Sequence, residues 1–208
     1  MENRNFGFIP STIDGTEIIF SAGIDTELPG EYTYERYLPG VINQGPLSIC
    51  VPCSLSAYLN WKENLNDGSN KDNKVALMDI YKIRTNDGDG MTFKEGLGYL
   101  RHYGVKSSAG TLGIGHYAKV NNMIDLRYAL VMNGPCLGAL PVYSDECSFW
   151  NKRPGDRLFG YHAISIVGYN DEGFIIRNSW GREFCRDGYT TIPYEDLNKL
   201  IEAWTIID

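Results

Sequence analysis

The sequence lacks any apolar run long enough to cross a membrane as a helix; its longest apolar runs are of strand length. It contains no Asn-x-Ser/Thr acceptor, no internal repeat and no low-complexity tract. Its first residues, MENRNFGFIPSTIDGTEIIF, lack the basic head and continuous apolar stretch of a secretory signal. Basic residues are in deficit, 19 Lys+Arg against 26 Asp+Glu for a net charge of −7, so neither nucleic acid nor a membrane is expected as a partner. Cysteine is sparse and odd in number, five residues at spacings that suggest no disulfide framework. Together these absences predict a reducing setting, cytoplasmic or carried in a larger particle.

What is present suits a chain with a real core: 208 residues, 43% hydrophobic and 12% aromatic. Residues 6–20 read as two short extended runs around the turn dipeptide Asp14-Gly15, and residues 21–42 as extended and Gly/Pro-punctuated. Helical spacing follows in PCSLSAYLNWKENL, in DNKVALMDIYKIR with Asp72 as N-cap, in TFKEGLGYLRHYG ending at Gly104, and in NNMIDLRYALVMNG ending at Asn133-Gly134. Thereafter PCLGALPVY, HAISIVGY, GFIIRNS, GYTTIP and AWTII read as strands. Helices first and strands second predict an α+β fold, a helical lobe and an antiparallel sheet lobe with a site in the cleft between them.

The chemistry concentrates around NQGPLSICVPCSL. Cys50-Val51-Pro52-Cys53 imitates a thioredoxin-type C-x-x-C, but the residues before it read as a loop rather than a buried strand, and no βαβ pattern surrounds them. Pro52 instead marks a helix start, where the missing N–H costs nothing, and a helix start stabilises a thiolate. Cys50 therefore reads as a nucleophile in need of a base. Of three histidines, His102 ends a helix and His116 sits in a Gly-flanked loop; His162 opens an apolar strand, placed to face a cleft. The next run ends in Asn178, and a hairpin would return that side chain to the imidazole. TNDGDGMTFKEG resembles a calcium loop, but Thr85 and Gly96 stand where its first and last ligands belong. Zinc is disfavoured by the absence of paired ligand spacings.

The segments NQGPLSIC, YHAISIVGYNDEGFIIRNSWG and RDGYTTIPYEDL, in this order, resemble the papain-like cysteine proteases over about residues 30–208. The resemblance implies the two-lobe papain fold, with a short N-terminal extension over 1–25 and a catalytic domain over 26–208. Its helical lobe would span about 43–115 and its β lobe about 116–208. It implies Cys50 as nucleophile, His162 as base and then acid, Asn178 orienting the imidazole, and Gln44 donating to the oxyanion beside the Cys50 N–H. Trp180 would shield the His–Asn hydrogen bond, and Gly90, Met91 and Tyr161 would line a cleft for peptide or protein substrates. No cofactor is implied.

Departures from the family pattern are visible. Leu47 replaces a cysteine that normally forms a disulfide, Val51 an aromatic residue, and Phe184-Cys185 a second Trp-Gly. The extension is too short for the family's usual inhibitory pro-domain, leaving a surface segment, a segment lying over the cleft, or a cleavable stub. Cys53 reads as a packing residue or as a redox partner of Cys50. Another Cys-dependent acyl transfer, or a non-catalytic protein keeping the fold, are the alternative functions.

Overall fold

The computed structural model describes residues 6–23 and 27–208; residues 24 and 25 of the expected extension, and its first five, lie outside the described residues. Helix α1 (Cys50–Asp67) starts at the cysteine, carries Pro52 in its first turn and stops at Gly68, which takes the left-handed conformation (φ 66°). Most of its faces are buried, because it packs against β6, α2 and α3 at once. Helix α3 (Phe93–His102) opens with a reciprocal Thr92/Glu95 capping box, and α4 (Met123–Asn133) with Asn122 accepting from the Asp125 N–H.

The second expected helix is much shorter than its pattern, with α2 covering only Leu77–Tyr81. Asp72 does not cap it. Its carboxylate accepts from the N–H and ammonium of Lys74, which adopts φ 49°. Asn73 turns inward instead, its N–H donating to Asn60 and its amide to Asn64, both on α1. Tertiary hydrogen bonds thus take residues 72–76 out of the helix.

The sheet has seven strands, all antiparallel. Its path runs β4 (His116–Lys119), β9 (Glu202–Ile207), β5 (Cys136–Val142), β6 (Gly160–Tyr169), β7 (Gly173–Arg177) and β8 (Tyr189–Pro193), with β1 (Tyr32–Thr33) also paired to β6. A small hairpin of β2 (Val105–Ser107) and β3 (Gly110–Leu112) lies apart. Two hydrophobic clusters flank the main sheet. One joins α1 and α3 to Leu137, Ala139, Ala163 and Trp204; the other joins α4 to Leu140, Ile164, Phe149 and Trp180.

Three further expectations are corrected. Cys147 and Cys185 form a disulfide, so the cysteine count does contain a cross-link, tying the 143–159 connection to the turn before β8. A pairing between two loops leaves no periodic signal in the sequence. Nor do residues 6–20 form a hairpin: Phe8 bridges Met91 and Tyr161, and Ile19 bridges Lys119, so each run pairs with the body of the protein. His116 lies on a strand edge rather than in a loop, and is exposed as expected.

Candidate active site

Cys50 is the first residue of α1, so its sulfur stands where helix N–H groups have no intrahelical acceptor. The backbone N–H groups of Ala163, Gly7, Val51 and Cys50 itself favour the thiolate, but complete burial dominates and pushes the thiol up to about 11. Cys53, one turn later, is buried too, and burial pushes its thiol up.

His162 lies on β6 beside Ala163 and is wholly buried. Its Nε2 is 2.7 Å from Asn178 Oδ1, just past the end of β7. An amide oxygen only accepts, so Nε2 carries the hydrogen and Nδ1 is the basic nitrogen. The Ser179 N–H also donates to Asn178 Oδ1, at 2.7 Å, fixing the amide plane. The hairpin geometry read from the sequence therefore brings this pair together.

Gln44 arrives from a different part of the chain. Its N–H donates to the Ser179 carbonyl (2.9 Å), Asn43 bridges Trp180, and the Gly181 N–H donates to Ile42, so residues 42–44 zip onto residues 179–181. The Gln44 side chain is oriented at both ends. Its Oε1 accepts from the Ser179 hydroxyl (2.6 Å) and its Nε2 donates to the Leu47 carbonyl (2.7 Å). Ser179 thus positions both Asn178 and Gln44, a role the sequence did not suggest.

Trp180 lies over the imidazole with ring centroids 4.6 Å apart and planes tilted 33°. Phe149 and Phe6 add edge contacts to the same imidazole at 6.1 and 6.3 Å. These rings exclude water from the His162–Asn178 hydrogen bond, which strengthens it. Neither phenylalanine was identified from sequence, because each comes from an irregular stretch with no periodicity.

Gly90, Met91 and Tyr161 are brought together, but the N-terminal segment already occupies the space between them. The Met91 N–H donates to Gly7 (2.8 Å), the Ile9 N–H to Met91 (3.1 Å) and the Phe8 N–H to Tyr161 (3.3 Å). The Phe8 ring is buried beside Phe93, at 5.0 Å between centroids. Gly90 adopts φ 97°, and a β-carbon there would stand 2.6 Å from the Gly7 carbonyl oxygen. A β-carbon on Gly7 would stand 2.1 Å from the Ser48 carbonyl oxygen. Two glycines thus let the segment lie flush in the trough. Further along, the Lys94 ammonium bonds the Thr12 carbonyl (3.1 Å) and the Glu17 carboxylate (2.7 Å).

Among the described residues no group of three or more His, Cys, Asp or Glu side chains is placed to hold a metal ion, and no helix is long and apolar enough to cross a membrane.

The model of the papain family cysteine protease matches residues 87–201. Cathepsin B-like CP3 of Giardia intestinalis is 41% identical over 31% of this chain, a match spanning 24% of that relative's length. Among solved structures, xylellain, a cysteine protease from Xylella fastidiosa, superposes with a TM-score of 0.81 at 23% identity, covering 97% of this chain and 95% of its own. The procathepsin B S9 of Trypanosoma congolense gives 0.77 at 14% identity, covering 98% and 87%. The α+β architecture is accordingly the papain-like fold, and the chain belongs to the papain family of cysteine proteases.

Proposed function

We propose that the chain is a cysteine peptidase in which Cys50 attacks a peptide carbonyl, and that the state described above is its self-blocked resting form. The observation that carries the assignment is the convergence of a helix-start cysteine, a strand histidine hydrogen-bonded to Asn178, and a Gln44 amide locked by Ser179.

In the open state water and substrate replace the segment, the burial that disfavours the Cys50 thiolate is relieved, and the thiol proton passes to His162 Nδ1. The sulfur then bonds to the substrate carbonyl carbon. The charge developing on its oxygen meets the Cys50 N–H and the Gln44 amide. Breaking of the C–N bond expels the amine, which takes the proton from His162 and leaves a thioester on Cys50. His162 next removes a proton from water, whose oxygen displaces the sulfur as the thiol and frees the carboxylic acid. Asn178 holds the ring throughout, accepting from the Nε2–H in neutral and cationic forms alike.

Gln44→Ala tests the oxyanion role. It should lower kcat by about 10²- to 10³-fold with KM nearly unchanged, measured on a fluorogenic peptide. An unaltered kcat would remove Gln44 from the machinery. Cleavage that persisted after Cys50→Ala would contradict the whole assignment.

The Lys94 anchor predicts a pH dependence of the block. Hydrogen bonding from Lys94 holds the Glu17 carboxyl below its ordinary value of 4.5. A depressed carboxyl contributes to the anchored state above its ordinary range and loses that contribution as pH falls through its lowered value. Cys50 should therefore react about two- to fivefold faster with an acid-competent pyridyl disulfide near pH 3 than its chemistry alone requires. In Lys94→Ala this extra acceleration should vanish.

A further inference from the structure

Arg177 is a buried cation, 5% exposed, that the proposed chemistry does not use. It ends β7 opposite Ser165 on β6, one residue before Asn178. Its Nη1 donates to the Tyr189 hydroxyl (2.6 Å) and its Nη2 to the Gly40 carbonyl (3.0 Å), both neutral groups. These bonds use two of the five N–H groups of a guanidinium. Among the described residues no carboxylate stands at ion-pair distance from it. Asp72 feels Arg177 only at Coulombic range, and that carboxylate is already bonded to Lys74. Cys53 feels it too, but burial pushes that thiol up and works against its serving as a counter-ion. A charge taken out of water is costly unless it is paired.

Beside the guanidinium lies a small hollow lined by Arg177, Cys53, Ser54, Ser165, Asn178 and Ser179. The centre of a water-sized sphere has about 10 Å³ to move in there, so a monatomic ion somewhat larger than water fits. Asn178, itself 4% exposed, has one polar side-chain atom left for that space. Its Oδ1 is bonded to His162 and Ser179, while its Nδ2 is buried without a partner. The three serine hydroxyls direct their hydrogens elsewhere, Ser54 to the Cys50 carbonyl, Ser165 to the Ser54 carbonyl and Ser179 to Gln44. The donors left for a guest are therefore an amide and a cation. No residue of the N-terminal segment lines the hollow, so it persists when the segment leaves. Ile42 borders both this hollow and a cleft of about 310 Å³ lined by Asp72 and Lys74, which offers a route in apart from the substrate trough.

We infer that this hollow binds one halide ion, chloride or bromide, between the Arg177 guanidinium and the Asn178 amide, and that the ion positions Asn178. A halide accepts N–H donors and carries the charge that Arg177 lacks nearby, whereas a water molecule in the same place would leave the cation unpaired. Held at Nδ2 by the ion and at Oδ1 by the Ser179 N–H, the amide keeps its oxygen on the His162 ring. The ion also cancels the field with which Arg177 would oppose an imidazolium on His162. The site itself does not rest on the peptidase assignment; its effect on turnover does.

The test uses the full chain carrying Gly7→Ala, in which the segment cannot seat. It is exchanged into sodium gluconate, whose anion is too large for the hollow, and titrated with sodium chloride at constant ionic strength. The expected result is a saturable rise in kcat of about fivefold or more with KM nearly unchanged. Bromide soaked into crystals should appear beside Arg177 by its anomalous scattering. Arg177→Gln, its folding checked by its melting curve, should hold no bromide and lose the chloride dependence. Should that variant not fold, the titration and the bromide position in the Gly7→Ala chain decide alone. Water in the hollow of bromide-soaked crystals would overturn the inference. Bromide bound there with kcat unchanged by chloride would be an adventitious ion only, and would overturn it too. A chain that binds bromide at Arg177 but cleaves no peptide would remove the peptidase assignment and leave the site standing.

Discussion

Gly7→Ala should raise peptide cleavage, and the rate of Cys50 alkylation with it, by about 10- to 100-fold. The added methyl would stand 2.1 Å from the Ser48 oxygen, and 2.4 Å from the carbon behind it. Both belong to backbone just ahead of α1, which cannot yield without moving Cys50. The segment must lift instead, giving up three backbone hydrogen bonds and the burial of Phe8. Those hydrogen bonds are worth about 1 kcal/mol each and the ring about 2 kcal/mol. Ordering the segment opposes much of this, at about 1–2 kcal/mol per fixed residue. A net hold of about 1–3 kcal/mol corresponds to the stated range. Burst amplitude on a fluorogenic peptide and alkylation followed by intact mass both measure it. Rates equal to those of the unaltered chain would mean that the segment is no barrier.

His162→Ala should lower kcat by about 10⁴-fold or more, even in the opened Gly7→Ala chain. Without the imidazole no group accepts the thiol proton or returns it to the leaving amine. Burial, which already holds the Cys50 thiol near 11, would then act without opposition from an imidazolium. Alkylation of Cys50 should slow to that of an ordinary thiol and lose any plateau between pH 5 and 8. Asn178→Ala should fall between the two, because it misorients the base without deleting it. A His162→Ala chain that still cleaved at an appreciable fraction of the parent rate would remove His162 from the mechanism.

The parts of this site that were legible in the sequence are those fixed by local rules. Pro52 two residues after Cys50 marks a helix start, and α1 begins at Cys50. The two apolar runs separated by a short turn pair as β6 and β7, so the distance along the chain from His162 to Asn178 closes to 2.7 Å. Helical spacing closed by Gly104 and by Asn133-Gly134 marks α3 and α4, which end at His102 and Asn133.

What was not legible depends on partners distant in sequence. DNKVALMDIYKIR has helical spacing, yet Asn73 is drawn to Asn60 and Asn64, and that contact overrides the spacing. The Cys147–Cys185 disulfide joins two irregular loops, where no periodicity marks a pairing, so the composition pointed to no cross-link at all. FGFIP reads as an extended run, and Phe8 does make bridges, but its partners, Met91 and Tyr161, lie more than eighty residues away. The sequence left its place open among the surface, the cleft and cleavage. In the structure Phe8 lies between Met91 and Tyr161.

The central claim is that this family member carries a working nucleophile at Cys50 under a cover made by its own N-terminus. It is tested most directly by incubating an unbiased peptide library with the Gly7→Ala chain and with the same chain carrying Cys50→Ala, and reading new termini by mass spectrometry. The account predicts abundant cleavage by the first, little by the unaltered chain and none by the double variant. A Gly7→Ala chain that cuts nothing, or a Cys50→Ala chain that still cuts, would contradict it.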